Sequence, residues 1–102
     1  MRISSLQRKN HGNMENLDTL RKKINRLDRQ IIKCLGYRMQ VVERIGKYKK
    51  MHKLSACNKK REMEVLKLIT RDGKRRGLNE KFVKKLYNEI FEEALRVQGC
   101  KK

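Results

Sequence analysis

An apolar stripe runs through the first half of the chain at the period of an α-helix. Between Leu17 and about Lys50 the apolar side chains recur at Leu17, Leu20, Ile24, Leu27, Ile31, Leu35, Val42 and Ile45. Steps of three and four residues place side chains on one face of a helix. The pattern therefore predicts one long, continuous helix, although Gly36 and Gly46 could each mark a break or a close backbone contact.

The length of this helix predicts a second copy of the chain. At about 1.5 Å of rise per residue the helix is about 50 Å long, whereas a compact chain of roughly 100 residues has a radius of gyration near 13 Å. Such a helix extends beyond its own domain, and its apolar stripe needs cover. We therefore expect an intertwined homodimer, whose pockets can draw residues from both copies.

The rest of the chain predicts two more helices and an all-α fold. After a loop at 51–60, helical spacing returns at about 59–71 and again at about 80–98, with a glycine-containing loop at 72–78 between them. The candidate N-caps are Asn16 or Asp18, Ser55 or Asn58, and Asn79. Residues 1–16 are expected to form a disordered basic leader, 17–98 the helical domain and 99–102 a frayed tail.

Composition restricts the environment and the partners of the chain. Its 102 residues carry a formal net charge of +18, which attracts nucleic acid, acidic membranes or small anions without choosing among them. No apolar run approaches the roughly 20 residues of a membrane span. His11 and His52 are interpreted as surface residues, and neither a metal nor a cofactor is expected.

The three cysteines, Cys34, Cys57 and Cys100, are odd in number and widely spaced. This pattern disfavours both a disulfide scaffold and a zinc site, and it favours a reducing cytoplasm as the location.

Polar side chains occupy apolar positions of all three predicted helices. Arg38 and Lys49 continue the stripe of the first helix, Glu62 shares a face with Leu66 and Ile69, and Gln98 follows Ala94 by four residues. Either cation alone could extend its charge into solvent along an apolar surface. Together on an inward face, the two cations predict a pocket for an anion. This set of residues contains no nucleophile and no proton relay: it has no Ser–His pair, no Cys–His pair, no paired carboxylates and no phosphate-binding loop.

Three segments carry a family resemblance: LDTLRKKINRLDRQIIKCLGYRM…IGKYKK, NKKREMEVL and LYNEIFEEALRVQ. From Leu17 to Gln98 they resemble the all-helical class of chorismate mutase. The resemblance implies a three-helix intertwined dimer with a very long first helix. It also implies the cofactor-free rearrangement of chorismate to prephenate, for phenylalanine and tyrosine biosynthesis.

The resemblance also implies roles for individual residues. Arg21 would hold a substrate carboxylate in the neighbouring subunit's site, and Arg38 a carboxylate in its own. Lys49 would contact a carboxylate and the ether oxygen of the breaking bond, to which Gln98 would also donate. Glu62 would accept from the ring hydroxyl, and Arg61 would support that end of the pocket.

Two positions depart from the family pattern. Asn58 stands where many relatives carry Asp beside the Arg–Glu pair, and because Asn still hydrogen-bonds a hydroxyl, we expect altered affinity rather than lost activity. Ala94 stands where some relatives carry a small hydroxyl residue, which removes one potential substrate contact.

Three alternatives remain open on sequence grounds. Isochorismate-pyruvate lyase shares this fold and the cationic pocket, although the REMEVL segment favours the mutase. A basic nucleic-acid-binding helical protein would suit the net charge, and would require Arg38 and Lys49 to face solvent. A mutase-like domain that binds without turnover is distinguished only by an activity measurement.

Overall fold

The computed structural model describes residues 15–99, which form three α-helices and contain no strand. The helices are α1 (Leu17–Met51), α2 (Lys59–Arg75) and α3 (Glu80–Val97). The predicted all-α architecture with a very long first helix is confirmed, and α1 continues without a break through Gly36 and Gly46. The predictions for the leader before residue 15, for His11 and for the last three residues lie outside the described residues.

Each helix begins at an asparagine. The side-chain oxygens of Asn16, Asn58 and Asn79 accept hydrogen bonds from the backbone amide three residues later, at 2.8, 3.1 and 2.9 Å. These bonds satisfy amide groups of the first turn that have no partner within the helix. Local chemistry therefore sets the start of all three helices.

The end of α2 differs from the sequence-based prediction. The helix continues to Arg75, so the loop predicted at 72–78 is wrong over its first four residues. The sequence pattern places Gly73 in a loop, but the residue is buried in the helix, where an added Cβ would lie 3.0 Å from Cγ2 of Val83. Gly73 thus allows close approach of α3, and helix packing rather than turn formation explains it.

The C-terminus of α2 is closed by the second glycine of that segment. Gly77 has a φ of 83°, a left-handed conformation that glycine adopts without steric cost. The amide of Leu78 donates to the carbonyl of Gly73 at 2.9 Å, and that of Gly77 to the carbonyl of Lys74 at 3.1 Å. This pair of bonds is a Schellman motif, which ends the helix and turns the chain toward α3.

Helix α3 is the packing centre of the single chain. It packs against both α1 and α2, and among the described residues α1 and α2 have no close backbone approach to each other. The buried apolar core is small and comes mostly from α3: Val42, Val83, Ile90, Phe91, Ala94 and Leu95. Because α1 and α2 diverge, a space remains between them with α3 as its floor.

The first half of α1 is not covered by its own chain. The described chain measures 59 × 23 × 19 Å, and along the apolar stripe the exposed fractions reach 59% at Leu17, 56% at Ile24 and 55% at Ile31. Isolated apolar side chains are common on protein surfaces, but a continuous stripe of this kind marks an interaction face. No helix in residues 15–99 has both the length and the apolar character required to cross a membrane.

The cysteines depart from the sequence-based expectation. Cys57, in the loop between α1 and α2, is disulfide-bonded, whereas Cys34 on α1 is free and exposed. The expectation that wide spacing disfavours a disulfide is therefore wrong at Cys57.

Candidate active site

A cavity of about 340 Å³ occupies the space that the three helices enclose. Its apolar lining consists of Val42, Ile45, Ala56, Val65, Phe91, Ala94 and Leu95, and its polar lining consists of Arg38, Lys49, Asn58, Arg61, Glu62 and Gln98. The volume suits a small molecule. Six of the seven residues singled out by sequence therefore lie around one cavity, although they come from three helices.

Two hydrogen bonds hold the side chain of Lys49 in the wall of the cavity. Its ammonium group donates to the backbone carbonyl of Ala56 at 3.2 Å and to Oε1 of Gln98 at 3.2 Å. The side chain is half-buried, and an ammonium group has three N–H donors. Two donors thus fix the position of the nitrogen, and the third remains for a ligand.

The bond from Lys49 also determines the orientation of the Gln98 amide. A lysine ammonium can only donate, so it must face the oxygen of the amide. Both N–H groups on Nε2 of Gln98 are then free to donate to a ligand. The backbone at Gln98 is itself tied to α3, since its amide donates to the carbonyl of Ala94 at 3.0 Å.

Arg38 supplies the second cation that α1 directs to the cavity. It lies 11 residues before Lys49, about 16 Å along the helix axis, and it is half-buried. Its guanidinium carbon lies 5.8 Å from the ring centroid of Tyr87 on α3, a cation–π contact that restricts the side chain. The two cations therefore lie well apart along one wall of the cavity.

The first turn of α2 forms the opposite wall. Glu62 is half-buried, whereas Asn58 and Arg61 are exposed at the rim. The oxygen of Asn58 is engaged in capping α2, which leaves its side-chain N–H groups free. Arg61 forms an ion pair with Glu64 at 3.6 Å, so its guanidinium lies toward solvent rather than deep in the cavity.

Arg21 does not reach the cavity of its own chain. It lies 28 residues before Lys49 on the same helix, which corresponds to about 42 Å along the axis. Its side chain is exposed, on the half of α1 that its own chain leaves uncovered. The structure therefore separates Arg21 from the six other residues.

Backbone groups of the site could not be identified from sequence. The carbonyl of Ala56 accepts from Lys49, yet every residue has a carbonyl, so no residue type indicates such a contact. Ala94 is buried in the apolar lining, which agrees with its methyl side chain. The other apolar lining residues belong to the helical stripes and could have been located from their periodicity.

The charge and chemistry of the lining limit what the cavity can do. Three cations and one carboxylate give it a formal charge of +2, and its residues include no Ser, Thr, Cys or His within the described chain. Across residues 15–99, no group of three or more His, Cys, Asp or Glu side chains is placed to hold a metal ion. The cavity is suited to bind a small dianion, fix its conformation and stabilise negative charge.

Comparisons with known proteins identify relatives of this chain. The family model described as chorismate mutase type II matches residues 20–99. The T-protein of Haemophilus influenzae is 27% identical over 81 residues, covering 79% of this chain and 22% of that protein. The 4-amino-4-deoxychorismate mutase of Streptomyces pristinaespiralis is 27% identical over 82 residues, covering 80% of this chain and 64% of that protein. The chain thus spans less than two thirds of either relative.

Proposed function

The chain belongs to the chorismate mutase type II family, and we propose that it rearranges chorismate to prephenate in the cavity between its helices. The observation that carries this proposal is the Lys49 ammonium, fixed between the carbonyl of Ala56 and Oε1 of Gln98 in a cationic cavity. The reaction is intramolecular and transfers no proton. A cavity without a nucleophile or a proton relay is sufficient for it, and the product would supply phenylalanine and tyrosine synthesis.

The two carboxylates of the substrate are the first requirement for binding. Arg38 binds one of them with its planar guanidinium, which the contact with Tyr87 restricts. Arg21 of a second copy holds the other carboxylate from the open side, and the positive charge of Lys49 adds to the attraction. The net positive charge of the cavity attracts the dianionic substrate from solution.

Lys49 and Gln98 act on the bond that breaks. As the C–O bond of the ether lengthens and the new C–C bond forms in the same step, negative charge accumulates on the ether oxygen. The free donor of Lys49 and the Nε2 donors of Gln98 stabilise that charge, and each such donor contributes about 3–4 kcal/mol in comparable oxyanion sites. These donors are already oriented by their mutual hydrogen bond, so little reorganisation accompanies the reaction.

Glu62 and Asn58 recognise the ring hydroxyl. The Glu62 carboxylate accepts a hydrogen bond from this hydroxyl, and the Asn58 amide N–H groups, left free by the capping bond, donate to its oxygen. Arg61 stabilises this end of the cavity from the rim, where its ion pair with Glu64 places it. With both ends of the substrate held, the apolar lining favours the compact chair-like conformer, and orientation alone can contribute several kcal/mol.

A homodimer completes the site. The stripe from Leu17 to Ile31 is uncovered in the single chain, and the core of that chain is too small to leave such a face in water without cost. Antiparallel pairing of two α1 helices covers both stripes at once, in an isologous interface. The same pairing brings Arg21 of one copy beside Lys49 of the other, because Arg21 lies near the start of α1 and Lys49 lies near its end.

Ile24→Glu is expected to dissociate this dimer. The substitution places a charge on each side of the two-fold interface and removes two buried isoleucines, so the dissociation constant should rise by about 100-fold or more. Sedimentation velocity measures the change, and Lys22→Glu, which lies off the stripe, is the control and should remain dimeric. A monomeric parent chain, or an Ile24→Glu variant that dimerises as the parent does, would contradict the proposed interface.

The nucleic-acid alternative has less support from the geometry. It requires Arg38 and Lys49 to face solvent, where they could contact phosphates. Both are half-buried in the cavity lining, and Lys49 uses two of its donors within the protein. Their placement favours a small anion over a nucleic acid backbone.

The direct test is the disappearance of chorismate absorbance with the purified chain, with products separated by chromatography. Prephenate formation supports the proposal. If chorismate is not consumed, the proposal fails, and the same assay with isochorismate distinguishes the lyase by its release of pyruvate. 4-Amino-4-deoxychorismate is the third substrate to test, because one relative is named 4-amino-4-deoxychorismate mutase. The Glu62 carboxylate can accept a hydrogen bond from an amino group as well as from a hydroxyl.

A further inference from the structure

Gly46 lies on α1 against Gln98, the residue that caps the C-terminus of α3. A Cβ added at residue 46 would lie 3.2 Å from Cγ, 3.3 Å from Cα and 3.4 Å from Cβ of Gln98. Three residues further along α1, the ammonium of Lys49 donates to Oε1 of Gln98 at 3.2 Å. Residues three apart share one side of a helix, so the backbone contact and the hydrogen bond form a single junction between α1 and α3.

We propose that Gly46 is a positioning residue that acts through Gln98. The missing side chain lets the backbone of Gln98 lie directly against α1, and this approach sets the Gln98 amide at bonding distance from Lys49 with its N–H groups turned into the cavity. The role in catalysis depends on the proposed mutase function. The placement of the amide is a structural property that can be measured independently of it.

The contact is too close for a methyl group to be accommodated by side-chain rotation alone. One of the three atoms is the Cα of Gln98, which moves only if the end of α3 moves. The Lys49–Gln98 bond at 3.2 Å is already at the long end of the range for a hydrogen bond. A displacement of a few tenths of an ångström therefore weakens this bond and misaligns the donors that act on the ether oxygen.

Gly36 provides a matched comparison on the same helix. Within the single chain, a Cβ added there meets nothing within 4 Å, and both glycines lie in the interior of α1. Alanine is favoured over glycine in a helix interior, so Gly36→Ala should keep the parent kcat and melt at the same or a higher temperature. A loss of activity specific to Gly46→Ala would therefore come from the contact with Gln98.

Gly46→Ala is expected to lower kcat for chorismate by about 10- to 100-fold, with a smaller change in KM, because the misaligned donors act mainly on the transition state. In a Gln98→Ala background the same substitution should cause no further loss of kcat, although it should still lower Tm, since Cα and Cβ of residue 98 remain. Independent losses that multiply, or an unchanged kcat in Gly46→Ala, would overturn the proposal.

A spectroscopic readout separates this inference from the proposed function. In ¹⁵N-labelled protein, the side-chain amide resonance of Gln98 is assigned by its disappearance in Gln98→Ala. It should shift in Gly46→Ala and stay in place in Gly36→Ala, whether or not the chain consumes chorismate. An unmoved Gln98 resonance in Gly46→Ala overturns the positioning role, whereas a shifted resonance without any turnover by the parent chain leaves that role intact and rejects the mutase.

Discussion

Replacing Lys49 with alanine is expected to lower kcat/KM for chorismate by about 1000-fold or more, because one donor at a developing oxyanion is worth 100- to 1000-fold by itself. Lys49 also contributes a positive charge to carboxylate binding. Its removal leaves Oε1 of Gln98 and the carbonyl of Ala56 without their shared donor, so the Gln98 amide is no longer held in one orientation. Steady-state kinetics on chorismate measures the loss.

Lys50→Ala is the matched control for Lys49→Ala. Lys50 is the next residue of α1 and is exposed, so its removal changes the net charge equally without changing the cavity. Its kcat/KM should remain within a few-fold of the parent value at moderate ionic strength. Equal losses in the two variants would mean that the overall positive field, rather than the fixed ammonium, supports the reaction.

Mixing two inactive variants is expected to restore activity if Arg21 acts across the dimer. Arg21→Ala alone should lose about 100-fold in kcat/KM, the cost of removing one partner of a buried charge pair. In a heterodimer of Arg21→Ala with Lys49→Ala, one site has both mutations and the other has none. Random exchange of subunits should therefore recover about a quarter of the parent activity, since half of the dimers are mixed and each has one intact site.

The control for this experiment is a mixture of Lys49→Ala with Gln98→Ala. These two residues belong to the same cavity of one chain, so every site in the mixed dimer lacks one of them and no activity should return. If the Arg21→Ala and Lys49→Ala mixture also stays inactive after verified subunit exchange, Arg21 does not serve the neighbouring site. Sedimentation of differently tagged chains verifies the exchange.

Much of the cavity could be predicted from residues that interrupt an apolar pattern. Arg38 and Lys49 continue the stripe of α1, and Glu62 and Gln98 lie on the inward faces of α2 and α3. A charged or amide side chain on an inward face requires a partner or a ligand, which is why helical period alone was enough to group these residues. The two departures, Asn58 and Ala94, also line the cavity.

Glycines and cysteines were the residues that sequence patterns interpreted least well. Gly73 indicated a turn but is a packing contact with Val83, while Gly77 in the same segment does end the helix. Cys57 is disulfide-bonded although its spacing did not suggest it. The role of Gly73 depends on Val83 in the next helix, which the local pattern around Gly73 does not contain.

The sequence by itself determined the three helices, the candidates for their N-caps and the inward polar residues, because periodicity and capping involve residues only three or four positions apart. The tertiary structure alone decided that Lys49 forms hydrogen bonds to Ala56 and Gln98, that Gly46 packs against Gln98 at the end of α3, and that α1 and α2 diverge around a cavity. These features depend on the angles and distances at which helices cross. Side chains on both helices set those values together, so neither segment specifies them alone.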